Sequence, residues 1–349
     1  MQTHQHEGRE KSRAERFFEV AHSTGLIRAG RFLWPKSLTI LNYHRVDRRP
    51  DQPGSDTFKP NISATLEGFN EQMEYISRWF NVASLRDVIQ WLDGQRNLPP
   101  HAALITFDDG YLDNYTVAFP ILQKFNFPAV IFLTTGHIEK EAPLYWDLVA
   151  YCFYHTQRTE VDAPDGKKRH WENQNQLDST VREWTEALKT LPDAEKQKWL
   201  TSLPDRLEVS VPHGFFRRLM MSWDQIREMA GKGIEFGAHT VTHPILTRIS
   251  LEQAREEIQG SKSEIERQLG QSIHSFAYPN GMSTDFNADI QALVRNAGFK
   301  AAFTLIDGPT SQREVKANPF TIRRIFISHR HSLPRFAALV SGFNRFRLS

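Results

Sequence analysis

The sequence predicts an α/β fold, and three observations carry that prediction. Short apolar runs rich in β-branched and aromatic residues alternate with longer stretches of helical periodicity, the rhythm of strands joined by helical crossovers. Several of those runs end in carboxylates, histidines or a Pro-Asn-Gly turn, as strands do when the loops at their C-terminal ends build a site. The length, 349 residues with 40% hydrophobic content, suits two average domains or one barrel with an addition.

Taken in order, strands are expected at 38–43, 103–106, 129–134, 234–238, 273–278, 301–305 and 321–327. Leu38-Thr39-Ile40-Leu41-Asn42-Tyr43 alternates and ends at His44. Thr65 to Phe80 places Leu66, Phe69, Met73, Ile76 and Phe80 at helix spacing, a core-facing stripe. Leu104 and Ile105 follow Pro99 and Pro100 and run into Gly110, so that strand has its start and its end both marked. Between Glu139 and Met221 the rhythm breaks: Asp162 to Asn175 is polar, helices are expected near 179–190 and 193–201, and Ser222 stands ready to cap the helix that resumes the pattern. Leu251 to Leu269 reads as a helix with a charged outer face. The expected organisation is a basic amphipathic segment over 1–36, a catalytic body over 37–138 and 222–331, an inserted helical subdomain over 139–221, and a second basic amphipathic segment over 332–349.

Three motifs carry chemistry. Thr106-Phe107-Asp108-Asp109-Gly110-Tyr111 ends a buried strand in two adjacent carboxylates. His239-Thr240-Val241-Thr242-His243 follows another; its spacing of four brings two imidazoles together, and Pro244 makes a single tight turn the expectation there. One carboxylate with two imidazoles is a common zinc-binding set that leaves room for water or substrate. Phe276-Ala277-Tyr278-Pro279-Asn280-Gly281 closes a third run with a rigid proline and a permissive glycine. Together these residues resemble the polysaccharide deacetylase family, also called carbohydrate esterase family 4 or the NodB-homology domain, in its exopolysaccharide-deacetylase-like branch. The resemblance covers roughly 37–136 and 222–330. It implies an irregular (β/α) barrel of about seven strands with a helical insertion, and metal-dependent removal of N-acetyl groups from a sugar of a polysaccharide or lipid-linked saccharide. It also implies roles. Asp108 is the catalytic base, taking a proton from metal-activated water, and Asp109, His239 and His243 hold a divalent ion, zinc first, with cobalt, manganese, iron or nickel as alternatives. Tyr278, Pro279 and Asn280 form the substrate and oxyanion loop, Asn280 acting through its backbone N–H.

The chain departs from the commonest family pattern twice. Ala277 stands where many relatives carry an arginine that pairs with the base, and Arg323 or Arg324 is the expected replacement. The late histidine motif that supplies a general acid has only a loose echo, Ile327-Ser328-His329, so His44 is preferred for that role, on its place at a strand's end and on its Tyr-His sub-family likeness. Two other readings stay open: hydrolysis of another amide, a ureide or formamide, at the same metal site, or a catalytically decayed sugar-binding module.

Composition narrows the partners. A net charge of +2 argues against bulk nucleic-acid binding. A single cysteine, Cys152, permits no internal disulfide, no run of 18 apolar residues is present, and the first residues lack a secretion-signal pattern, so a cytoplasmic protein is expected. Both ends mix basic and apolar residues, Phe17, Phe32 and Trp34 with Arg16 and Arg31, and Phe336 and Phe346 with Arg335 and Arg347. They suit either a peripheral place on the anionic inner face of a membrane or two helices packed on the body. The oligomeric state is not legible.

Overall fold

A computed structural model of the chain describes residues 13–27, 37–47, 56–308 and 310–343. Seven parallel strands close into a barrel: β1 (Ser37–Tyr43), β2 (Ala102–Asp109), β3 (Ala129–Leu133), β4 (Ile234–Ala238), β5 (Ser275–Ala277), β6 (Ala301–Asp307) and β7 (Ile322–Phe326). Each strand pairs with the next in sequence, and β7 returns to β1 through Leu41 opposite Ile325 and Asn42 opposite Phe326. The barrel is irregular. β5 has three residues and meets β4 only through Phe276 opposite Ala238.

Alternation along each strand divides the core in two. Leu38 and Ile40, Ala102 and Leu104, Val130 and Phe132, Ala277, Ala301 and Phe303, and Ile322 fill the interior, while Leu41, Tyr43, Ala103, Ile105, Phe107 and Ile131 face the outer helices. On the same face β4 offers Glu235, whose carboxylate accepts from the Leu85 and Arg86 N–H groups, and then Gly237, where a Cβ would meet the Phe132 ring at 2.5 Å. The same parity decides the site: past each apolar inner layer stand Asn42 on β1, Thr106 and Asp108 on β2 and Arg324 on β7, all buried.

The helix expected over 65–80 is Leu66–Trp79, capped by the Thr65 side chain on the Gly68 N–H, and Ser222 caps Trp223–Ala230 in a reciprocal box with Gln225. Leu251–Leu269 is helical as expected. Residues 139–221 form three helices, Tyr145–His155, Gln174–Lys189 and Asp193–Leu207. Gln174–Lys189 starts earlier than helical periodicity implies because Asn173 accepts from the Gln176 N–H. The segment is not wholly helical: Glu160–Asp162 and Lys168–His170 pair as an antiparallel ribbon around a turn in which Gly166 takes φ +77°. Its inward residue Val161 is buried, which a reading of the polar run as irregular chain misses.

The terminal helix Arg13–Ser23 packs on Leu333–Val340, with the Phe17 and Phe343 rings stacked 6.1 Å apart, and Leu333–Val340 packs on Leu66–Trp79. Phe17, Val20 and Leu26 stay exposed. The other terminal residues of the amphipathic reading, Phe32, Leu33, Trp34 and Phe346 among them, lie outside the described residues. Among the described residues no helix is long and apolar enough to cross a membrane.

Candidate active site

Asp108 is the centre of the polar layer that caps the barrel interior. Arg324 grips it with two hydrogen bonds, Nη1 to Oδ1 at 2.6 Å and Nη2 to Oδ2 at 2.8 Å, and spends its Nε on the Thr304 carbonyl at 3.0 Å. Asn42 Nδ2 donates to Asp108 Oδ2 at 2.9 Å. Burial alone would raise the Asp108 pKa, but the Arg324 guanidinium, with the field of His239, outweighs it and holds the carboxyl low, at about 2. Asp108 is therefore ionised at neutral pH. The position that Ala277 leaves vacant is served from another strand. Arg323 points outward and is exposed, while Arg324 shares the inward face with Ile322. One of the two departures that favour a decayed site, the vacant arginine position, is thereby answered; the other, the missing late histidine motif, stands.

Asp109 follows Asp108 on β2, so regular alternation would send it to the opposite face. It instead takes φ +77°, with Gly110 next at φ +90°, and the chain turns sharply as it leaves the strand. The Asp109 carbonyl accepts from Thr134 Oγ1 at 2.8 Å. Asp109 Oδ1 lies 3.7 Å from both His239 Nε2 and His243 Nε2, and those two nitrogens are 3.2 Å apart. Among the described residues this is the group whose Asp and His atoms converge for a metal. The triangle has edges that donors about 2.1 Å from one ion would define.

The local bonding supports the same set. His239 Nδ1 sits 2.7 Å from the Ala277 carbonyl, which fixes the proton on Nδ1 and leaves the Nε2 lone pair aimed inward. Both Asp109 oxygens are buried and meet no hydrogen-bond donor among the described residues. Burial, then the charges of Asp108 and Asp147, push the Asp109 pKa well up, and a cation bound beside it would offset that. Burial pushes both imidazoles down, His243 further because His239 and His137 face it, and neutral imidazole is the ligating form. The residues fit a divalent ion. The His239–His243 segment is one compact turn as expected, with Thr240 and His243 at φ +67° and +59° and the His243 N–H bonded to Thr240 Oγ1.

These groups open into a cavity of about 330 Å³ lined by His44, Asp108, His239, His243 and Asn280 with Phe58, Tyr145, Trp146, Leu305 and Phe326. His44 Nε2 stands 4.0 Å from Asp108 Oδ2, and burial, helped by Arg324 and His239 against the pull of Asp108, lowers its pKa to about 4. His329 is elsewhere: its backbone N–H and its Nδ1 both engage the Ile62 carbonyl. Asn280 takes φ +59°; its side chain bonds Asp285 at 2.6 Å, and its N–H bonds no protein acceptor among the described residues. The expectation for Tyr278 needs correction. Its parity matches Phe276 and opposes Ala277, so its ring faces outward, stacked on Phe286, and its hydroxyl donates to the Phe320 carbonyl. Pro279 likewise does not line the cavity; it shapes the turn, accepting the Gly281 N–H.

Sequence reasoning missed several members. Asn42 gave a usable signal, being a polar residue on the inner face of an apolar strand. Phe58, Leu305 and Phe326 also line the cavity and were not singled out; the remaining members come from residues 139–221 and gave no signal. Trp146 Nε1 donates to the Tyr111 oxygen and Tyr111 donates to Asp147 Oδ2, both at 2.7 Å, and the Trp146 ring stands edge-on to His243 at 4.8 Å. Arg182, Thr185, Glu186 and Lys189, one stripe of the helix Gln174–Lys189, complete the cavity wall.

Comparison with known proteins places this geometry. Residues 95–302, more than half of the chain, match the model of the polysaccharide deacetylase family. A poly-β-1,6-N-acetyl-D-glucosamine N-deacetylase of Escherichia coli K12 is 31% identical over 99 residues, 28% of this chain and 14% of that protein. The enzyme of the same name from Staphylococcus epidermidis is 32% identical over 110 residues, 29% of this chain and 37% of its own length. The chain thus aligns with well under half of these relatives. Among solved structures, the Streptococcus pyogenes deacetylase PplD in complex with acetate superposes with a TM-score of 0.59 at 19% identity, over 88% of this chain and 99% of that one. IcaB from Ammonifex degensii gives 0.55 at 21% identity, over 88% and 98%. These two share the fold.

Proposed function

The chain belongs to the polysaccharide deacetylase family, and on that premise we propose that it hydrolyses the N-acetyl group of a sugar within a polysaccharide or lipid-linked saccharide. One observation carries the reading: a converging Asp109, His239 and His243 set stands beside a buried, ionised carboxylate, Asp108, at the floor of an open cavity. The poly-β-1,6-N-acetyl-D-glucosamine named for two relatives makes acetylated glucosamine oligomers the first substrates to try.

In this reading Asp109 Oδ1, His239 Nε2 and His243 Nε2 hold the divalent ion, which when bound supplies Lewis-acid activation to the acetamido carbonyl and the attacking water. Asp108 takes the proton of that water. Arg324 and Asn42 keep it in place and ionised, so it is ready at neutral pH without a conformational step. The Asn280 N–H donates to the oxyanion as the carbonyl carbon becomes tetrahedral. The C–N bond then breaks, acetate leaves, and the nitrogen must gain a proton. His44 is neutral at pH 7, so it cannot donate at the outset. It relays to the departing nitrogen the proton that Asp108 has taken, which requires the 4.0 Å between His44 Nε2 and Asp108 Oδ2 to close to hydrogen-bond distance once substrate is bound. Phe58, Trp146, Leu305 and Phe326 exclude water around the acetyl methyl.

The test is acetate release from β-1,6-linked N-acetylglucosamine oligomers by metal-loaded protein, with Asp108→Asn as control. Ammonia or formate from ureide or formamide substrates, with no acetate from any acetylated saccharide, would replace this reading by the other amidase chemistry.

A further inference from the structure

The ionic groups of the helix Gln174–Lys189 can be accounted for one by one. Asp178 is held by Lys59 at 2.8 Å and by the Tyr154 hydroxyl and Gln174. Glu183 pairs with Arg169 at 3.1 Å, and Glu186 with Lys189 at 2.7 Å. Arg182 is left over: its only bond among the described residues is a long one, 3.5 Å, from Nη2 to Ser179 Oγ. Arg182 is exposed at the rim of the catalytic cavity, which it lines with Thr185, Glu186, Lys189, Tyr145 and Trp146, and it also borders a second groove with Asp165 and Glu183.

A guanidinium presents a planar fork of donors that matches the oxygens of a carboxylate or phosphate. The carboxylates of its own helix are already engaged, and the one acidic group among the other residues lining the cavity, Asp108, is held by Arg324. A substrate whose acetamido group reaches Asp108 passes this fork on its way in. We propose that Arg182 is an anion subsite at the cavity mouth, selecting N-acetylated saccharides that carry a carboxylate or phosphate near the reacting sugar. The proposal rests on the deacetylase reading above and names its substrate class.

The experiment compares kcat/KM for acetate release from a neutral N-acetylglucosamine oligomer, the same oligomer bearing a uronic acid, and the same oligomer bearing a sugar phosphate, in wild type, Arg182→Ala and Arg182→Lys. The wild type should favour at least one anionic substrate over the neutral one. Arg182→Ala should cut that ratio by about tenfold to a hundredfold, chiefly through KM, with Arg182→Lys retaining part of it. Preference for the uronic acid or the phosphate identifies the source of the charge. A wild-type ratio near one, or a ratio that Arg182→Ala leaves unchanged, overturns the subsite. Failure to release acetate from any oligomer counts against the deacetylase reading instead, and calorimetric titration of the anionic oligomers then decides: weaker binding by Arg182→Ala supports the subsite, equal binding removes it.

Discussion

Arg324 on β7 and Asp108 on β2 are 216 positions apart in sequence and meet inside the barrel in a two-pronged ion pair with both side chains essentially inaccessible. Desolvating both charges is expensive, and the second prong, the Thr304 carbonyl, the Thr106 hydroxyl and Asn42 make the arrangement tolerable. Removing one partner strands the other. Arg324→Ala is expected to lower unfolding stability by roughly 3–5 kcal/mol and acetate release by on the order of a hundredfold. Arg324→Lys, which keeps the charge but not the fork, should fall between. Urea denaturation alongside activity checks both, and wild-type activity in Arg324→Ala would show that Asp108 needs no orienting partner.

Neighbouring aspartates are expected to separate cleanly in their effects. Asp108→Asn should lose about 10²- to 10⁴-fold in kcat while binding metal like the wild type. The Asp109→Ala, His239→Ala double variant should lose the metal itself. Native mass spectrometry after loading with zinc, cobalt or manganese reads the difference, and metal loss in Asp108→Asn would move Asp108 into the ligand set.

The turn after β5 should depend on its backbone more than on its side chains. Gly281 has φ +64°, and a Cβ there would come within 2.7 Å of the Leu305 nitrogen, so Gly281→Ala must shift the loop, at a cost of about 1–3 kcal/mol. Asn280→Ala gives up the bond to Asp285 and, at φ +59°, the tolerance of asparagine for the left-handed region, about 1–2 kcal/mol in all without a backbone clash. Activity should therefore suffer more in Gly281→Ala. The reverse order, measured on the same acetylated oligomer, would assign the Asn280 side chain a direct part.

A pH effect on stability is expected away from the site. Burial, with the charges of Arg335 and His329, lowers the His331 pKa to about 4, from an ordinary value of 6.5. The fold thus favours the neutral ring. Its contribution is full above pH 6.5 and is lost as pH falls from there towards 4. Asn can accept the Ser328 N–H in place of Nδ1 but does not titrate, so His331→Asn should lose less stability than wild type on that descent, by roughly 1–3 kcal/mol. Urea unfolding at pH 7, 5.5 and 4.5 tests this, and parallel losses in the two proteins would refute it.

Most of the strands and the Asp109, His239 and His243 set were legible because their signals are local: period-two alternation and a short His spacing. Arg324 was one of two candidates, since Ile322 and Ile325 are both buried and the strand shows no simple alternation from which to choose. Only closure of β7 onto β1 decides which arginine faces in. Tyr278 was misplaced for the opposite reason: position in a motif outweighed parity with Phe276, and parity is what orients a strand side chain. Tyr145, Trp146 and Arg182 were invisible, because nothing in the local pattern of 139–221 says which of its faces lies over the cavity.

The strand order has a further implication for how the molecule comes to life on the ribosome. Asp108 emerges early in synthesis and its guanidinium partner more than two hundred residues later, so a nascent chain that already carries Asp109, His239 and His243 still has Asp108 unpaired. Full competence would then arrive in one late event, when the last strand docks against the first, and a chain stalled before residue 322 would lack the guanidinium that orients Asp108 however much of the barrel it had built.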